Sequence, residues 1–142
     1  MSNEKSYTPE ALNKFGAASL PGYLGIEIVG IADGEASARL EIKPHHLAPN
    51  GYLHAGTVIT LADTAAGYAC IASLPEGANS FTTIELKSNF LGAVREGGVL
   101  CEAKLAHGGR TTQIWDAVVT AEATGKTIAL FRCTQMVLYP RA

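Results

Sequence analysis

Charge is scarce in the middle of this sequence. Between Leu47 and Pro75 the single Asp, Glu, Lys or Arg is Asp63. The chain as a whole avoids extremes too. A net charge of −2 and a pI near 6.1 give no general electrostatic case for nucleic acid or an anionic membrane as partner. Cysteine is also sparse: Cys70, Cys101 and Cys133 are three, widely spaced and set in apolar runs. That excludes a disulfide framework and the paired spacing of a zinc site, and it fits buried thiols in a reducing compartment. There is no Walker or dinucleotide fingerprint, no G-x-S-x-G and no Cys-His pairing. His45 and His46 adjoin with His54 nearby, but neighbouring residues rarely ligate one ion, so no metal is expected. The opening "MSNEKSYTPEALNKFG" has no apolar core of a signal peptide, and a cytoplasmic location is expected. The run 55–75 is long enough for a membrane span. Asp63 at its centre and the amphipathic strands around it argue against one.

The sequence does carry ordinary globular composition, 47% hydrophobic and 17% charged, in 142 residues, enough for one domain spanning 1–142. An N-terminal helical segment is expected within 1–18: Thr8 as cap, Pro9 at the first helical position, Gly16 as stop. "GIEIVGIADGEASARLEIK" predicts a hairpin turning at Asp33-Gly34, with Ala36, Ala38, Leu40 and Ile42 alternating against polar residues. After a turn-rich loop, residues 56–72 have no period of two and many alanines, which predicts a buried helix. Strands follow near 80–92, 98–107, 111–122 and 127–139. The breaks "REGG", "HGGR" and "ATGK" suit hairpins or tight bends. One helix cannot cover both faces of a six-stranded sheet. An α+β domain is expected, its sheet curled around the helix and one face left for a partner.

A carboxylate buried without a partner costs roughly several kcal/mol. Either Asp63 pairs with a hydroxyl such as that of Thr60 or Thr64 or reaches solvent, or it does chemistry; no Lys or Arg lies within helical reach. His54, Ala55 and Gly56 stand where the helix begins, and free N–H groups there suit a carbonyl oxygen gaining charge. Eight residues from Ala55 to Asp63 span about 12 Å at 1.5 Å each, too far for both to serve one carbonyl. If both act, the site is shared across a two-fold dimer. The turn 107–110, "HGGR", suits a phosphate through its N–H groups and Arg110, and equally suits a plain hairpin with a solvated Arg.

Together "PNGYLHAGTVITLADTAAGY", "FTTIELKSNFLGAVREG" and "HGGRTTQIWDA" resemble the hotdog-fold acyl-CoA thioesterases of the phenylacetic-acid-degradation (PaaI-like) type, over nearly the whole chain. The resemblance implies a hotdog fold, a curved antiparallel sheet wrapped around one long buried helix. It implies hydrolysis of an acyl-CoA to free acid and CoA by a homo-oligomer, a dimer of dimers. CoA belongs to the substrate and no separate cofactor is implied. Asp63 takes the place of the catalytic carboxylate, and His54, Ala55 and Gly56 that of the group polarising the thioester carbonyl. CoA contacts map to Thr83, to Phe90, Leu91 and Gly92, and to His107, Gly108, Gly109, Arg110 and Thr111. Ala55 stands where the family usually has Gly. Ala48 stands six residues before the His, where an Asn or Gln helps position water; Asn50, two places later, is the candidate for that work. Two other activities remain open: a hotdog dehydratase or hydratase of 3-hydroxyacyl thioesters, using His54 and Asp63, and a non-catalytic acyl-CoA binder. Tyr52, Tyr68 and Phe90 are candidates for an aryl-acyl pocket or for core.

Overall fold

A computed structural model describes residues 7–141, so the first six residues of the expected N-terminal segment lie outside the described part. Helix α1 (Pro9–Gly16) starts as expected: Thr8 accepts from the Ala11 N–H at 3.1 Å, Pro9 occupies the first turn, and Leu12 is buried. A second short helix, α2 (Leu20–Leu24), was not legible because Pro21 and Gly22 fall inside it; Gly25 ends it at φ 79°. Strands β1 (Glu27–Ala32) and β2 (Glu35–Glu41) form the expected hairpin, with Gly34 at φ 78° in the turn. After a 3-10 turn at Pro44–His46 comes the long helix α3 (Ala55–Ala72). Four strands complete the chain: β3 (Ser80–Phe90), β4 (Gly98–Gly108), β5 (Thr112–Ala121) and β6 (Thr127–Leu138).

The six strands form one antiparallel sheet in the order β1-β2-β4-β5-β6-β3. "HGGR" and "ATGK" are hairpin turns as expected, but "REGG" is not. It belongs to a crossover that carries the chain from β3 at one edge to β4 in the middle. Backbone bonds hold this crossover on the way. Leu91 and Gly92 donate to the Ile128 carbonyl, Leu53 donates to Val94 and Ile42 donates to Gly97. Residues 90–94 are thereby laid beside the start of α3.

Helix α3 packs against every strand. Its buried face is mostly small: Ala62, Ala65, Ala66 and Ala69 are fully buried with Leu61, and opposite them Trp115, Val119, Phe131 and Cys133 fill the concave side. Small helix residues let the backbone approach the sheet, and the single Trp fills the volume left. By length and composition α3 would cross a membrane, with mean hydropathy 1.3, yet here the sheet covers it. Burial pushes the thiols of Cys70, Cys101 and Cys133 up to about 12, so all three are neutral and packed. The arrangement is the hotdog fold that the resemblance implied.

Candidate active site

Asp63 lies in the middle of α3, half-buried, and its Oδ1 is buried with no hydrogen-bond partner. The hydroxyl alternative is not realised. Thr60 donates instead to the Gly56 carbonyl at 2.8 Å, and Thr64 makes no bond to the carboxylate. Burial alone raises the Asp63 pKa above the ordinary carboxylate value. The side chain faces the β3–β6 wall. On the same helix face one turn later, Gly67 sits against the Phe81 ring of β3, and the Cys133 thiol of β6 feels the Asp63 charge.

The start of α3 is built by His54. Its backbone N–H donates to the His46 carbonyl at 3.0 Å, and its Nδ1 accepts from the Gly56 N–H at 2.7 Å. A Cβ at Gly56 would stand 3.0 Å from that Nδ1, so the glycine makes room for the capping ring rather than for a ligand. The Gly56 amide is thus occupied. Among the described residues the Ala55 N–H has no partner, and Ala55 is exposed. Thr57 Oγ1 also donates to the His46 carbonyl, and both His46 ring nitrogens are engaged, with Lys43 N–H and Leu24 O. Burial lowers the His46 pKa. Among the described residues no three His, Cys, Asp or Glu side chains gather as a metal site would require.

Beside the Ala55 amide opens a cleft of about 140 Å³ lined by Tyr52, Ala55, Val58, Phe90, Gly92 and Ile128. Tyr52 and Phe90 therefore meet there, whereas Tyr68 packs on α1 against Phe15 and Gly16. The Arg95 guanidinium stacks over the Tyr52 ring at 4.3 Å; the sequence gives no sign of its place at this cleft, because a hairpin or tight bend at "REGG" does not imply the crossover that brings it there. Leu91 is exposed next to Phe90. Asn50 is exposed, and its Oδ1 accepts from the Tyr52 N–H at 3.1 Å to close the turn.

The remaining candidates lie elsewhere. Thr83 is on β3, its Oγ1 donating to Gln135 Oε1 at 2.6 Å. His107, Gly108, Gly109, Arg110 and Thr111 form the β4–β5 turn, where a Cβ on Gly109 would stand 2.9 Å from the His107 ring. Arg110 is exposed, its guanidinium 5.7 Å from the Tyr139 ring centroid, with no carboxylate partner among the described residues. The Thr111 carbonyl accepts from the Val137 N–H, so this turn sits by the end of β6, while the cleft sits by its start at Ile128. The nine residues between them span about 30 Å at 3.3 Å per residue. One chain does not bring its glycine turn to its own helix start.

Known proteins resemble this chain in sequence and in fold. Residues 50–128 match the Thioesterase superfamily. The chain is 35% identical over 111 residues to the 1,4-dihydroxy-2-naphthoyl-CoA hydrolase of Listeria monocytogenes, covering 78% of this chain and 89% of that one. It is 31% identical over 110 residues to the acyl-coenzyme A thioesterase PaaI of Escherichia coli, covering 77% and 75%. The crystal structure of a mutant thioesterase PA1618 from Pseudomonas aeruginosa superposes with a TM-score of 0.89 at 27% identity, covering 96% and 97%. A lone carboxylate on the buried helix, a free amide at its start and these matches lead to one conclusion: the chain belongs to the thioesterase superfamily and is a thioester hydrolase of the hotdog fold.

Proposed function

We propose that this protein hydrolyses a small or aryl acyl-CoA thioester to free acid and CoA, at sites shared between two protomers. The buried, unpartnered Oδ1 of Asp63 carries the reading: a fold keeps such a carboxylate at a cost, and a substrate beside it gives the cost a use. The Ala55 N–H of one protomer polarises the thioester carbonyl. Asp63 of the other supplies the carboxylate, as nucleophile on that carbonyl or as base for a water. The cleft lined by Tyr52 and Phe90 suits an aryl group, and the name of one relative, a 1,4-dihydroxy-2-naphthoyl-CoA hydrolase, supports that class. Arg110 and the glycine-rich turn around it hold the CoA phosphates, and Thr83 and the segment Phe90 to Gly92 follow the pantetheine.

Pairing through β3 makes the dimer in this reading. A second dimer covers the outer sheet face, where Val118, Leu130 and Met136 are exposed, and the buried thiols fit a reducing, cytoplasmic setting.

Free-thiol release from a panel of alkyl and aryl acyl-CoAs tests the function, with crotonyl-CoA hydration assayed in parallel. Wild type releases thiol, and Asp63→Asn loses at least about 100-fold in turnover. Near-normal turnover in folded Asp63→Asn would remove the mechanism. Hydration without thiol release would install the dehydratase reading, and tight binding with neither would install the binder.

A further inference from the structure

Among the described residues, Gln135 is the other buried polar side chain left incomplete. It is fully buried on the inward face of β6, and its Nε2 has no partner. Its Oε1 is fixed by the Thr83 hydroxyl at 2.6 Å. Turning the amide over would still leave one of its two polar atoms unpaired, and the orientation in place leaves a donor. The register sets where this donor lies. Phe81 pairs with Val137, Thr83 with Gln135, and Leu86 with Cys133. Phe81 touches Gly67 of α3, and Cys133 feels the charge of Asp63, one turn earlier on the same helix face. Gln135 therefore sits on β6 between the inward-facing Cys133 and Val137, on the face that packs against the helix carrying Asp63. An orphaned donor on this wall and an orphaned carboxylate oxygen on the helix packed against it remain, and buried polar groups in native proteins are seldom left so.

We propose that Gln135 is the positioning residue for Asp63: anchored by Thr83, its Nε2 donates to a water that donates in turn to the buried Oδ1, and so holds the second carboxylate oxygen toward the substrate. The role complements the proposed thioesterase mechanism, on which its catalytic meaning rests. A donor to the ionised form also offsets part of the upward pull of burial on Asp63. The charged and titratable groups around it leave this effect visible. Cys133 of β6 and Cys70 of α3 are pushed up to about 12 and stay neutral. Glu85 of β3 bonds Thr134 on the outer face, and no cation acts on Asp63.

The test reads Asp63 itself before it reads turnover. The sequence has three aspartates, Asp33, Asp63 and Asp116, so carboxyl-carbon NMR of aspartate-labelled protein resolves Asp63, with Asp63→Asn assigning the signal. Gln135→Met keeps length and removes the amide. The Asp63 midpoint is expected to move to higher pH, the acid limb of kcat to move with it, and kcat to fall on the order of tenfold or more while KM stays within about twofold. Thr83→Val, at an exposed position, frees the amide without touching the core and is expected to move the midpoint the same way by less. An Asp63 midpoint unchanged in both variants overturns the proposal. The midpoint needs no substrate, so it still decides the Gln135 contact if Asp63→Asn keeps turnover and the hydrolytic mechanism falls.

Discussion

At the β1 edge of the sheet, Asn13 of α1 donates to the Ile28 carbonyl at 3.0 Å and accepts from the Ile28 N–H at 2.7 Å, while along the β3 edge no residue is buried and Ile84, Leu86 and Phe90 are exposed. That side chain satisfies both backbone groups of Ile28 on the first edge, where a register shift between Ile28 and Gly30 adds a kink. The chain thus has the means to finish an edge and uses them on one side. Along the open side lie the Asp63 wall, the Thr83–Gln135 pair and the cleft at Phe90. The β1 edge is tied to α1, and the β3 edge is the one on which the proposed site relies.

That contrast can be broken in order of size. Ile84→Lys places a charge in the bulge of the open edge, a common device against strand pairing. Sedimentation should then show monomers with native far-UV dichroism, and turnover should fall more than about tenfold because no site keeps both of its halves. An active oligomer would mean that β3 is not the seam. Asn13→Ala at the closed edge should do the opposite. It should lose about 1–2 kcal/mol in urea unfolding, two part-buried side-chain-to-backbone bonds being removed, with kcat within about twofold. A large loss of kcat without loss of stability would show that the β1 edge also feeds the site.

The smallest effect concerns Asp63 as a burden on the fold. Its folded pKa is raised by burial, so its contribution to stability is greatest below the unfolded pKa and is lost as pH rises through the folded one. At neutral pH Asp63→Asn should therefore be as stable as wild type or more so, by up to about 1 kcal/mol. The difference should shrink on acidification as wild type takes up its proton. A gain that is constant with pH would detach it from ionisation.

Sequence legibility followed local information. Asp63 was visible because nothing else charged surrounds it, and β2, β5 and β6 because their alternation survives burial on one face. The place of β3 was not visible. Its pairing partner, β6, is the last strand in the chain, and nothing in "REGG" distinguishes a crossover from a turn. The occupied Gly56 amide was hidden because a capping His and a polarising His read alike until the ring is placed. Gln135 was within reach: it falls in the inward phase of Phe131, Cys133 and Val137, and a glutamine in that phase marks a buried amide that must bond something.

The irregularity in β3 between Thr83 and Glu85 has a consequence for how this chain tolerates insertions and deletions. Before it the odd-numbered Phe81 and Thr83 face the helix; after it the even-numbered Leu86 and Phe90 do. One surplus residue, Ile84, lets a single strand keep two reading frames. Deleting it would restore a regular ladder and turn one half of the strand inside out, sending either Thr83 or Phe90 to the wrong side. The exposed β5–β6 turn around Gly125 has no such frame to keep. Length variation is tolerable there, whereas in β3 a change of one residue alters which side chains face the helix.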